Sequence, residues 1–163
     1  MLKINITTFD FKKEFLIELK SSDINIEKDI IIDDFLKISV VLTKEKESVV
    51  IAQGNISGKV KLLCSRCLEE FKSPINNNFT TIFKDKKLMK KDDIETDVLP
   101  YENNVIDLFD IVRQTIIMEM PMKPLCKKDC AGICPVCGKN NNKEKCDCHV
   151  QNVFNPFKDI NIH

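Results

Sequence analysis

Residues 36–67 read LKISVVLTKEKESVVIAQGNISGKVKLLCSRC. Their apolar side chains fall on even positions, Leu36, Ile38, Val40 and Leu42, until the charged break TKEKES. The even phase then resumes through Val50, Ala52, Ile56, Val60, Leu62 and Cys64. Successive side chains of a strand point to opposite faces, so this period of two marks strands buried on one side. The short polar break between two such runs implies a hairpin. Working outward, Phe71, Ile75, Phe79, Thr81 and Phe83 make another alternating run on the odd phase. Phe9, Phe11, Phe15, Ile17 and Leu19 suggest one or two more strands near the N-terminus. Four or more antiparallel strands with one apolar face need a covering layer or closure into a barrel, and the pattern leaves both open.

Beyond Phe83 the alternation dissolves. Five lysines at 84, 86, 87, 90 and 91 precede Asp92, Asp93, Glu95 and Asp97, which reads as a solvated loop of mixed charge. Asp107 then suits a helix N-cap, and Leu108, Ile111, Val112, Thr115, Ile116 and Met118 set a broad apolar stripe on the helix that follows. Pro121 stops that helix at about Met120, because the residue before a proline avoids helical geometry. No internal repeat is present. The expected fold class is α+β: an antiparallel β-sheet or partly closed barrel, one packed helix and a small C-terminal cysteine module. In residues, this gives a β domain over 1–85, a charged linker over 86–104, a packing helix over 105–120, a cysteine-rich module over 121–150 and a tail over 151–163.

The chain of 163 residues fits one domain, or one domain with a small appendage, and at 43% apolar and 31% charged it has the composition of a soluble globular protein. Its 25 basic and 25 acidic residues balance, so any attraction to nucleic acid or anionic membrane must come from local patches. The N-terminus alternates apolar and polar residues and lacks the unbroken apolar run of a signal peptide. A cytoplasmic setting is therefore expected, where thiols stay reduced.

That setting sharpens the question of the cysteines. Six of the eight lie between Cys126 and Cys148, as Cys126-x3-Cys130-x3-Cys134-x2-Cys137-x8-Cys146-x-Cys148. In Cys134-Pro135-Val136-Cys137-Gly138, two residues separate the thiols, a spacing that points both sulfurs at one tetrahedral ion. Pro135 presets the turn, and Gly138 can take the positive φ that turns its N–H back toward a thiolate. This is the sequence of a zinc knuckle. Its partner pair is either Cys146 with Cys148, after the asparagine-rich turn GKNNNKEK, or Cys126 with Cys130. Cysteine-only ligands would also suit an iron–sulfur cluster, but the knuckle-plus-turn layout favours zinc. His149 reads as a surface residue next to the last cysteine.

Cys64-Ser65-Arg66-Cys67 is a second CxxC, at the end of a strand-like run. A redox pair would want a helix N-terminus to lower the first thiol's pKa, and the context here is β. Eight cysteines suffice for two four-thiolate sites, so Cys64 and Cys67 can join a C-terminal pair in a second zinc site. Arg66, held in that turn, is the first candidate for contact with RNA or a partner, and Lys127 and Lys128 of the cysteine segment are further candidates. The chain contains no HExxH, no phosphate-binding GxxxxGK[ST] and no GxGxxG, and both histidines fall in its last 15 residues. Nothing in it assembles a catalytic set.

Leu63-Cys-Ser-Arg-Cys-Leu68, after a strand with Gly54 and Gly58, resembles the YceD family of large ribosomal RNA subunit accumulation proteins. The run IDLFDIVRQTIIMEMPMKPLC, then AGICPVCG and the closing CDC, resembles the cysteine-rich branch of that family. The resemblance spans about residues 50 to 150. It implies a ribosome-biogenesis factor, with ribosomal RNA, assembly intermediates or a ribosomal protein as partner, and it carries over no catalytic residue; with no catalytic set in the chain, the expected role is non-enzymatic. Gln114 stands where this helix of the family has an acid, and the tail NPFKDINIH is short. Relatives without the C-terminal cysteines imply that zinc serves stability or docking. Two other readings stay open: a zinc-dependent protein adaptor that never touches RNA, and a dithiol oxidoreductase acting through Cys64 and Cys67.

Overall fold

The computed structural model describes residues 2–24, 30–91 and 97–148. They form eight strands, three single-turn 3₁₀ helices and the α-helix α1: β1 Lys3–Asn5, β2 Lys12–Leu19, β3 Ile31–Ile32, β4 Leu36–Lys44, β5 Val49–Leu63, β6 Glu70–Asp85, β7 Leu99–Tyr101, β8 Val105–Asp107 and α1 Phe109–Glu119. The chain divides into two compact units. One comprises Met1–Leu62 with Phe71–Met122; the other comprises Leu63–Glu70 with Lys123–His163.

The first unit is the sheet and its helix. Strand order is β2-β4-β5-β6-β7, with β3 also pairing β5, while β1 and β8 form a separate two-stranded ribbon. Both sheets are open, so the barrel alternative is not taken. The even-phase reading holds: Leu36, Ile38, Val40 and Leu42 of β4 are fully buried, as are Ala52, Ile56 and Val60 of β5. The charged break closes the β4–β5 hairpin, with Lys44 opposite Val50 and Val40 opposite Gly54. At Gly54 an added Cβ would lie 2.4 Å from the ring tip of Phe79, so a glycine is needed to admit that ring against the strand. Val112, Thr115 and Ile116 are the buried face of α1, and Val112 and Ile116 join the same apolar core as the strands.

Four details differ from the sequence expectation. The sheet is not wholly antiparallel, because β7 runs parallel to β6, Phe83 opposite Leu99. The helix begins at Phe109, with Leu108 as its backbone cap. Asp107 still contributes, its Oδ1 accepting the Phe109 N–H at 2.9 Å. Met118 is 83% exposed, since two residues beyond Ile116 a helix has turned about 200° and faces water. Strands β7 and β8 also arise within 97–107, where charge and loop composition masked three-residue elements. No helix among the described residues is long and apolar enough to cross a membrane.

Candidate metal centres

The second unit is built differently from the first. Among its described residues, the buried apolar side chains are Cys64, Cys67, Cys130 and Cys134 and no others. With no buried aliphatic side chain, these described residues are not held by hydrophobic burial among themselves, and small units of this kind normally depend on cross-links or metal. All eight cysteines are free, so disulfides do not supply the link.

The sulfurs gather into two sets of four. Cys64, Cys67, Cys126 and Cys130 form one and Cys134, Cys137, Cys146 and Cys148 the other, with all sulfurs of a set within 4.8 Å of one another. In the first set Cys64 Sγ lies 3.7 Å from Cys130 Sγ, and Cys67 Sγ lies 3.7 Å from Cys126 Sγ. Four thiolates arranged tetrahedrally at about 2.3 Å from one ion are about 3.8 Å apart, so the donor set fits a single metal ion. A cluster would interpose its own iron and sulfide atoms and spread the cysteines further. The sequence left Cys126/Cys130 and Cys146/Cys148 competing for one knuckle; the structure assigns each pair a different partner.

Local chemistry explains each placement. Cys64-Ser65-Arg66-Cys67 occupies the connection between β5 and β6, and a link of six residues between neighbouring strands can only be a hairpin. The Leu68 N–H donates to Cys64 O at 2.9 Å and the Cys64 N–H to Glu69 O at 2.9 Å, closing the turn with Leu68 at φ +59°. The Cys126–Cys130 loop is bonded to this turn. The Ser65 N–H donates to Pro124 O at 2.8 Å, and Arg66 Nη1 donates to Cys130 O at 2.9 Å. Lys127 and Lys128 are exposed in that loop. In the knuckle, the Val136 N–H reaches Cys134 Sγ at 3.4 Å. Gly138 takes φ +74° as expected, but its N–H donates to Cys134 O at 2.9 Å and not to a sulfur.

The thiols' proton affinities are split within each set. Burial pushes Cys64 up, but backbone N–H groups of Cys126, Cys67 and Arg66 outweigh it and bring the thiol down to about 6. Burial and the neighbouring sulfurs of Cys130, Cys67 and Cys64 drive Cys126 up to about 12. Backbone N–H groups of Cys137 and Val136 bring Cys134 down to about 6, whereas Cys137 and burial drive Cys148 up to about 12. Four thiolates this close repel one another, and a cation among them removes the conflict. Cys64 is also fully buried and follows a strand, whereas a reactive CxxC thiol wants exposure and a helix N-terminus.

The sequence reading missed the asparagines of the turn. Asn142 Nδ2 lies 3.3 Å from Cys130 Sγ, and Asn141 Oδ1 lies 3.9 Å from Cys146 Sγ. Three consecutive asparagines between a knuckle and a CxC are more than a turn needs, and that excess was the available clue. His149 lies outside the described residues.

By fold and site, this is a β-rich protein carrying two cysteine tetrads suited to metal ions. Residues 52–161, more than half the chain, match the model of the YceD family, described as large ribosomal RNA subunit accumulation protein. The chain belongs to that family. It is 26% identical over 140 aligned residues to the Arabidopsis thaliana chloroplastic "Large ribosomal RNA subunit accumulation protein YCED homolog 1", covering 69% of this chain and 43% of the relative. It is 28% identical over 90 residues to an uncharacterized protein of Mycobacterium tuberculosis, covering 55% of this chain and 44% of the relative. The alignments thus span less than half the length of these relatives. No solved structure matches the chain.

Proposed function

We propose that this chain is a non-enzymatic factor supporting the accumulation of large-subunit ribosomal RNA, with each cysteine tetrad holding one zinc ion. The observation that carries the reading is the family match over 52–161, which contains all eight cysteines of the two tetrads. Zinc suits a site of four thiolates whose sulfurs all lie within 4.8 Å of one another, with no open position, which is the arrangement of a structural centre. Its work is to hold the hairpin tip and the C-terminal segment as one rigid platform. Free thiols in such number suit a reducing compartment such as the cytoplasm.

The charge of the loaded platform bears on what it touches. Residues 63–70 and 123–148 carry seven Lys and Arg against five Asp and Glu, a balance of +2. Two four-thiolate zinc centres contribute about −2 each, leaving the platform at about −2. Nonspecific attraction to phosphate is therefore weak, which favours the protein-adaptor reading of the contact: a cationic ribosomal protein in an assembly intermediate. Arg66 spends one donor on Cys130 O, so its first role is to hold the loop; Lys127 and Lys128 are the freer contact candidates.

The test is sedimentation of tagged protein with large-subunit assembly particles, before and after nuclease treatment. Comigration that survives nuclease, with reduced large-subunit RNA in depleted cells, is the expected result. Protein that stays at the top of the gradient, with RNA levels unchanged on depletion, would overturn the assignment.

A further inference from the structure

We propose that Asn142 serves both cysteine tetrads at once, so that the two metal ions load cooperatively. The inference rests on the zinc reading of the tetrads given above. In sequence Asn142 belongs to the second site, four residues before Cys146. In space its side chain is bonded to the first: Nδ2 donates to Cys130 Sγ at 3.3 Å. The same Nδ2 donates its other hydrogen to Asn140 Oδ1 at 2.8 Å, while Asn142 Oδ1 accepts the Ala131 N–H at 2.9 Å. Both N–H groups and the oxygen of the amide are thus engaged. The flipped amide would set its oxygen against the Cys130 sulfur and the Asn140 oxygen, so these partners select one orientation.

The backbone between the sites is tied to the same turn. Cys130 is the last ligand of the first tetrad and Cys134 the first of the second, with three residues between them. The Asn141 N–H donates to Gly132 O at 2.9 Å, and the Cys134 N–H donates to Lys139 O at 2.8 Å. Ile133 pairs with Asn140 as an antiparallel bridge, and the Ile133 N–H donates to Arg66 O at 3.1 Å. Each rung from 131 to 134 is therefore fixed by residues 139–142 or by the hairpin tip. A metal that orders Cys130 orders Asn142, the turn that Asn142 closes, and through it the presentation of Cys134 and Cys146. The first ion bears the ordering cost and the second meets a site already formed. The N–H donated to Cys130 also relieves the negative charge of a four-thiolate centre, a role whose loss typically weakens metal binding roughly 10- to 100-fold.

The experiment is a substoichiometric zinc titration of the reduced, metal-free full chain, read by native mass spectrometry as populations with zero, one and two ions. Asn142→Asp is the informative variant. It keeps the oxygen that accepts Ala131 N–H and the side-chain size, but sets a carboxylate oxygen against the Cys130 thiolate. At one equivalent, the natural chain is expected to show zero-ion and two-ion species with the one-ion form well below half. Asn142→Asp is expected to weaken one site at least tenfold and make the one-ion form dominant. Cobalt substitution with a competing chelator supplies a second readout: thiolate-to-metal absorption should rise to two equivalents in a single transition in the natural chain and in two separate steps in the variant. A one-ion form near half in both proteins would overturn the coupling while leaving the zinc reading intact. A natural chain that takes up no zinc would overturn both.

Discussion

Two glycines of the cysteine unit share a backbone conformation and differ in their surroundings, which makes them a controlled pair. Gly132 has φ +72° and Gly138 has φ +74°, both in the left-handed region. A Cβ at Gly138 would meet nothing within 4 Å, whereas at Gly132 it would lie 3.1 Å from Arg66 O. The left-handed conformation costs an L-residue about 1–2 kcal/mol, so Gly138→Ala should lose about that much. Gly132→Ala loses the same plus at least about 1 kcal/mol, because the backbone oxygen it meets is held by the Ile133 N–H. The described residues of this unit bury no aliphatic side chain, so metal binding and folding there are one equilibrium and both losses appear in zinc affinity. At about 1.4 kcal/mol per tenfold, Gly138→Ala should bind zinc roughly 5- to 30-fold more weakly and Gly132→Ala roughly 30-fold or more. The assay is competition against a chromophoric zinc chelator at fixed pH. Asparagine tolerates the left-handed region, so Gly138→Asn should recover most of the loss and Gly132→Asn should not. Equal affinities for the two alanine variants would refute the close approach of Gly132 to Arg66 as the distinguishing constraint.

Other perturbations separate the two units. A strong chelator should open residues 63–70 and 123–148 to protease while strands β4 to β6 stay protected, because only the former lack an aliphatic core; uniform digestion would argue against this division. Leu42→Ala removes a fully buried side chain and should cost about 2–5 kcal/mol in denaturant unfolding; a loss under about 1 kcal/mol would mean Leu42 is not in the core. Asp33 is held below the ordinary carboxylate value of 3.8 by the side-chain bond from Lys72 at 2.7 Å, with Lys61 at 3.5 Å assisting. A depressed carboxylate stabilises the fold above its ordinary value and loses that contribution as pH falls through the lower, folded one. Asp33→Asn should therefore lower the melting temperature at pH 7 and converge with the natural chain at the most acidic pH; a constant offset across that range would rule the ion pair out as the cause.

What could be read directly from the residues follows from how far each interaction reaches along the chain. The run from Leu36 to Cys64 exposes its strands because alternation is a property of neighbours, and burial on one face confirmed it residue by residue. Strands β1, β7 and β8 are three residues each, too short to show a period, and are held by partners about a hundred residues away or in parallel with β6. The cysteines divide in the same way. Spacing shows which two thiols chelate together, as in Cys134-x2-Cys137, but which pairs meet depends on the hairpin tip, some sixty residues upstream in sequence. Asn142 is less legible still, since its donor reaches the tetrad that its sequence neighbours do not form.

The most direct test of the account is X-ray absorption at the zinc edge on the full chain, purified under reducing conditions without chelator, with the zinc content counted in parallel. Two zinc ions per chain, each with four sulfurs at about 2.3 Å and no nitrogen or oxygen ligand, is the result expected from the two tetrads. Absence of zinc, or a shell that includes nitrogen or oxygen, would contradict it.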